Sequence, residues 1–124
     1  MATITPVRVQ TPYDVDMEIW KWIGMAAGDV ALPVLCNYKQ DKSVKWIAAT
    51  VGTAVATIQG DIDPAGGSFA ILHDTRGFAN PLTITLATTA TIAQILEACY
   101  AVKPVLTGGA TTAGFDTWLF LRGR

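Results

Sequence analysis

Leu82-Thr83-Ile84-Thr85-Leu86 puts three aliphatic side chains on one face of an extended chain and two threonines on the other. Successive side chains of a strand point to opposite faces, so a period of two marks a half-buried strand. Phe115-Asp116-Thr117-Trp118-Leu119-Phe120-Leu121 repeats the alternation with apolar groups on both faces. Phe115, Leu119 and Leu121 fall on one side, and Trp118 and Phe120 on the other, so this strand is expected to be covered on both sides. Toward the N-terminus, Val15-Asp16-Met17-Glu18-Ile19 alternates, then Trp20, Trp22 and Ile23 add apolar groups to both faces. Residues 43–51 and 54–60 form two further runs, with Gly52-Thr53 between them as a candidate hairpin turn. Phe69 to Leu72 reads as a short strand.

Turn chemistry separates the runs. Ala27-Gly28-Asp29, Asp63-Pro64-Ala65-Gly66-Gly67, Arg76-Gly77, Asn80-Pro81 and Thr107-Gly108-Gly109 carry residues that fix a turn or tolerate positive φ. Strands recurring about every 8–12 residues are the spacing of a sandwich or jelly roll. The expected fold is therefore all-β, a single-domain β-sandwich over residues 15–124. One segment has a different period: Ile92, Ile95, Leu96 and Cys99 follow helical spacing. A helical turn near 92–96 and a strand are both compatible with residues 91–99. A strand follows to about Leu106, because Pro104 would break a helix there.

Residues 1–14 contain two prolines, no glycine and many β-branched side chains. They read as an extended N-terminal arm suited to lying across a neighbouring subunit, with Ile4, Val7, Val9 and Tyr13 as contacts. The alternative is an edge strand of the chain's own sheet. Trp20 and Trp22 share a face with Glu18, and are either core residues or anchors of a protein interface.

The chain has 124 residues, 51% hydrophobic and only 15% charged, with a net charge of −1. That is enough apolar surface to exclude disorder and enough chain for one domain without a staple. The low charge suggests that part of the surface is covered in the working state. Nine basic residues are scattered among ten acidic ones, which argues against nucleic acid as a partner. No apolar run reaches the ~18 residues of a membrane span, and the N-terminus lacks a signal-peptide layout. Synthesis in a cytoplasm is expected, with Cys36 and Cys99 as buried free thiols.

Groups able to carry catalysis are sparse. His73 is the single histidine, beside Asp74, and reads as a surface-loop residue without partners. Asp61-Ile62-Asp63-Pro64 is similar to the start of a calcium loop, but Ala65 and Leu72 stand where the EF-hand requires oxygen ligands. Two turn-forming aspartates are the simpler reading. Gly108-Gly109 lacks the Lys-Ser/Thr ending of a phosphate loop. No enzyme, metal or cofactor is expected.

The order of several motifs resembles that of the phage capsid decoration, or cement, proteins of jelly-roll type. They are Gly28-Asp29 before Leu32-Pro33, Ser43-Val44-Lys45-Trp46, Ala56-Thr57-Ile58-Gln59-Gly60, and Phe69 to Asp74. Most specific is Ile95-Leu96-Glu97 leading to Tyr100-Ala101-Val102-Lys103-Pro104-Val105-Leu106-Thr107-Gly108-Gly109, and the chain closes on Leu119-Phe120-Leu121-Arg122. The loop Asp61 to Gly67 departs from the group, where a Ser-Asn-Asp-Gly turn and a tryptophan are common. The resemblance implies a structural virion protein made in the host cytoplasm. It would bind the outside of the capsid, with the major capsid protein as partner, as a homo-oligomer of two or three copies. A tail or fibre accessory module, including one of glycan-binding type, is the alternative.

Overall fold

Backbone pairing sorts the extended runs into two large sheets and one small one. The computed structural model describes residues 2–9, 17–37, 39, 41–48, 53–63, 67–75, 80–85, 90–108 and 114–123. Among these there are twelve strands and no helix. They are β1 (Thr3–Ile4), β2 (Val7–Val9), β3 (Met17–Met25), β4 (Val30–Ala31), β5 (Val34–Leu35) and β6 (Asp41–Ala48). Then come β7 (Val55–Asp61), β8 (Ala70–Ile71), β9 (Thr83–Thr85), β10 (Thr91–Gln94), β11 (Ala101–Thr107) and β12 (Phe115–Arg122).

The first large sheet has the order β10-β6-β12-β3-β2, and the second β5-β11-β7-β8 with β9 also on β7. From β3 onward the chain passes repeatedly between the two sheets, which is the jelly-roll form of the β-sandwich. Strict alternation explains why both sheets share one core. In β6, Lys42, Val44, Trp46 and Ala48 are buried and the residues between them are not. Strand β12 does the same with Phe115, Thr117, Leu119 and Leu121, and β7 with Ala56, Ile58 and Gly60. Gly60 is required by space: a Cβ there would lie 2.9 Å from Leu72 Cδ1 and 3.1 Å from the Ala101 carbonyl oxygen.

Strand β3 breaks the alternation. Between the pairs Thr117↔Trp22 and Phe115↔Met25 it carries one residue more than β12. Gly24, at φ +70°, makes this β-bulge possible, and the Asp116 side chain accepts a hydrogen bond from its amide at 2.9 Å. Trp22 and Met25 consequently both face the core although they stand three residues apart.

Three expectations need correction. Residues 43–51 and 54–60 do not form a hairpin, because β6 and β7 lie in different sheets and the connection crosses the sandwich. Residues 91–94 are a strand paired with β6, and the Ile95 amide continues that ladder onto the Lys42 carbonyl at 2.8 Å. The helical spacing was coincidental: Ile95 is buried while Ile92 is 71% exposed. Pro104 sits inside β11 opposite Ile58. It is tolerated because β5 pairs only with Ala101 and Val102, so the missing amide deprives no neighbouring strand.

The third correction concerns the arm. Its first residues are extended, but they pair with the chain itself. Strand β1 runs parallel to β4, the Ala2 carbonyl accepts from Val30 at 2.8 Å, and the Ile4 carbonyl accepts from Leu32 at 2.9 Å. The Asp29 carboxylate accepts hydrogen bonds from the Ala26 and Ala2 amides, and these hold its pKa below the usual carboxylate value. Strand β2 is the edge of the first sheet, on β3, and Ile4 packs against the core. The edge-strand alternative is the one these pairings match. Residues 10–14, Tyr13 included, lie outside the described residues.

Two predictions follow from this packing. Deleting residues 1–9 removes the Ile4 contact and bares the β3 edge, and should lower Tm by about 5–10 °C in a thermal melt. Thr117 Oγ1 is buried without a hydrogen-bond partner. Thr117→Val keeps the shape and removes the stranded hydroxyl, so denaturant titration should show a gain of about 1 kcal/mol.

Candidate functional site

The outer face of the first sheet is unusually apolar. Register places Val7, Lys21, Trp118, Lys45 and Ile92 in one row across β2, β3, β12, β6 and β10. The next row is Val9, Ile19, Phe120, Ser43 and Gln94. Side chains directly opposite on one sheet face touch, so these rows form a continuous surface. Trp118 lies at its centre. Lys21 Nζ stands 4.2 Å from the centre of its indole ring and Lys45 Nζ 5.4 Å, two cation–π contacts on one ring. Lys21 also pairs with Asp116 at 3.6 Å. Beside the indole runs a groove of about 220 Å³ lined by Ile19, Ile92, Trp118 and Phe120, with Ser43 and Lys45 adding the polar atoms. Ile92, Ile23 and Val7 are 71, 52 and 53% exposed. Contiguous exposed apolar surface of this kind marks a contact site.

The outer face of the second sheet is mixed: Thr57, Gln59, Thr83, Thr85, Lys103 and Thr107 share it with Val55, Val105 and the exposed Leu35 and Ile71. Lys103 covers the Phe69 ring at 4.5 Å.

Of the residues expected to bind a partner, Val7 and Val9 do reach the apolar face. Ile4 is packed against the core instead. Trp22 is 1% exposed and its Nε1 donates to the Leu32 carbonyl at 2.8 Å, so it is a core residue and not an anchor. Trp20 also packs toward the core, with Nε1 donating to Glu18 at 3.3 Å. Lys21, Lys45, Ile92, Trp118 and Phe120 were missed as site residues. The signal for two of them was present, since Trp118 and Phe120 form a second apolar face on β12. The error was to assume that this face is covered within the monomer.

His73 also departs from its expected place in a loop without partners. Its Nδ1 meets Glu97 Oε2 at 2.6 Å, and its backbone amide donates to Glu97 Oε1 at 2.9 Å. The Leu96 amide in turn donates to the His73 carbonyl at 2.8 Å, and residue 73 bridges Pro81. The pair is a clasp between the segment after β8 and the β10–β11 connection. Asp61 is a turn former, as expected: its carboxylate accepts from the amides of Asp63, Gly67 and Ser68. Among the described residues no three His, Cys, Asp or Glu side chains converge as metal ligands would.

With this geometry in hand, comparison with solved structures is informative about fold. The SPBc2 prophage-derived protein YomS superposes at a TM-score of 0.58 over 89% of this chain and 99% of its own, at 9% identity. The chain shares its fold with a prophage-derived protein. A chain of the disulfide-linked pili of Bacillus endospore appendages aligns over 98% of this chain and 91% of its own, at TM-score 0.40 and 17% identity. RmlC from Streptococcus suis aligns over 88% of this chain and 45% of its own, at TM-score 0.38 and 8% identity. No family model and no curated protein matches the sequence.

The Glu97 clasp has a pH signature. Partial burial pushes its carboxyl up, but hydrogen bonds from the His73 ring and amide outweigh this and leave it below 4.5. A carboxyl depressed in the folded state stabilises fully above its unfolded value and loses that contribution as pH falls through the folded one. His73→Ala and Glu97→Gln should each cost about 1 kcal/mol at neutral pH. The cost of Glu97→Gln should shrink steadily as pH falls through and below the ordinary carboxylate range, as read from urea midpoints across pH.

Proposed function

We propose that this chain is a structural protein of a phage particle. It binds the outside of the assembled capsid through the apolar face of the β10-β6-β12-β3-β2 sheet. The carrying observation is that face itself: Trp118 held between Lys21 and Lys45, beside an apolar groove, on a chain of low charge. Tryptophan is enriched at the energetic centres of protein interfaces. The jelly-roll sandwich shared with a prophage-derived protein and the decoration-protein resemblance support the same reading. The partner is the major capsid protein, and the protein reaches the virion from the host cytoplasm. It acts by affinity and not by catalysis. A molecule that binds only the assembled lattice stabilises each site by RT ln(1 + [L]/Kd), and a dimer or trimer on a symmetry axis multiplies the effect.

A tail or fibre accessory module is the second reading. Its glycan-binding form is disfavoured, because a sugar site needs convergent polar groups and this groove has few.

Cosedimentation with expanded, DNA-filled shells tests the proposal. Trp118→Ala should weaken binding about 30-fold, corresponding to a hot-spot loss of about 2 kcal/mol. Ile92→Asp, at a position 71% exposed, should weaken binding while leaving the melting temperature nearly unchanged. Binding by both variants at the wild-type level, or no binding by the wild type, overturns the proposal.

A further inference from the structure

Cys36 and Cys99 occupy neighbouring crossings of the sandwich. Cys36 follows β5, where the chain passes from the second sheet to the first. Cys99 precedes β11, where the chain passes back. The two crossings are tied by the Cys36 amide, which donates to the Tyr100 carbonyl at 2.6 Å, and by the pairing of Leu35 with Ala101. Both thiols are buried in the shared core, where Cys36 Sγ donates to the Val34 carbonyl at 3.6 Å and Cys99 Sγ to the Glu97 carbonyl at 3.9 Å. Cys99 also lines a cavity of about 230 Å³ that opens between Asp61, Ser68, Leu72 and Glu97. This cavity gives Cys99 a route for a small reagent.

We propose that Cys36 and Cys99 are a disulfide-forming pair, in which Cys99 reacts first with a low-molecular-weight disulfide and Cys36 then closes a covalent staple between the two crossings. The Cys99 thiolate attacks one sulfur of the reagent, forming a mixed disulfide and releasing one reagent thiolate. Cys36 then attacks Cys99 Sγ, loses its proton to solvent, and displaces the second reagent thiolate. The protein loses two electrons, and the reagent disulfide is reduced to two thiols. On crossings paired this directly, rotation of the two side chains is what would bring the sulfurs to the S–S distance of about 2.05 Å. The order of attack matches the electrostatics. The neighbouring Cys36 thiol and the charge of Lys42 outweigh burial and hold the Cys99 thiol below its usual pKa, while the neighbouring Cys99 and burial push Cys36 far up. The pair would be open in a reducing cytoplasm and closed outside it. This inference does not depend on what the apolar sheet face binds.

The test is to treat the folded full-length chain with bis(2-hydroxyethyl) disulfide, quench with acid, unfold, alkylate and weigh it. The wild type should lose both alkylatable thiols together and carry no reagent adduct. Its melting temperature should rise by about 10 °C or more and return on reduction, as expected for a bond closing a long loop. Cys36→Ser should stop at one mixed disulfide on Cys99, and Cys99→Ser should react far more slowly. If the folded wild type keeps both thiols, or ends as a stable adduct, the proposal fails. The wild-type mass alone decides this if either serine variant does not fold.

Discussion

Strand β12 pairs with β6 along its whole length on one side and with β3 on the other, from Phe115 to Arg122. It is flanked through its length, so its backbone groups have neighbours on both edges and its side chains decide both faces of the sheet. Inward, Phe115, Leu119 and Leu121 are essentially without solvent contact and meet the buried residues of β7 and β11 across the sandwich. Outward, Trp118 and Phe120 form the middle of the apolar face. The core and the candidate binding surface are thus two sides of one eight-residue strand. Most other features, from the β3 bulge to the Lys21–Trp118 contact, are accommodations to it.

The sandwich was legible because alternation is local: each strand declares its two faces within a few residues, as β6, β7 and β12 do. Which strands pair was not legible, because the partner is chosen by the shared core over long sequence separation. The residues 49–54 look like a hairpin turn, yet β6 and β7 bury their alternate residues from opposite sides of the core. Residues 92–99 mislead for a related reason, since in so short a span an isoleucine on the outer face and one on the inner face mimic a helical stripe. Trp20 and Trp22 look like anchors by residue type alone. The Gly24 bulge and the Leu32 carbonyl that receives the Trp22 indole belong to tertiary structure. His73 lacks partners only in sequence, because Glu97 is 24 residues away.

The two outer faces divide the molecule chemically. One presents indole and phenyl groups beside aliphatic ones with two lysines, and the other intersperses threonines, a glutamine and one lysine among aliphatic groups and has no exposed indole. The apolar face is what gives the low overall charge a physical meaning. It also explains why Val7 and Val9 are β-branched: they extend the same surface to the sheet edge.

Strand β12 is also made after every strand it organises. During synthesis β3 and β6 emerge long before the strand that must lie between them, each with apolar side chains already exposed. Without its central member the first sheet is two separate pairs, β2 with β3 and β10 with β6, so it cannot assemble progressively from one end. Its closure is a single late event dominated by long-range pairing, the slow class of folding step. Until then the unfilled slot between β3 and β6 is open to the matching strand of another copy. Exchange of β12 between two chains would satisfy the same ladders, which makes this strand the element by which the molecule would swap domains under crowded expression.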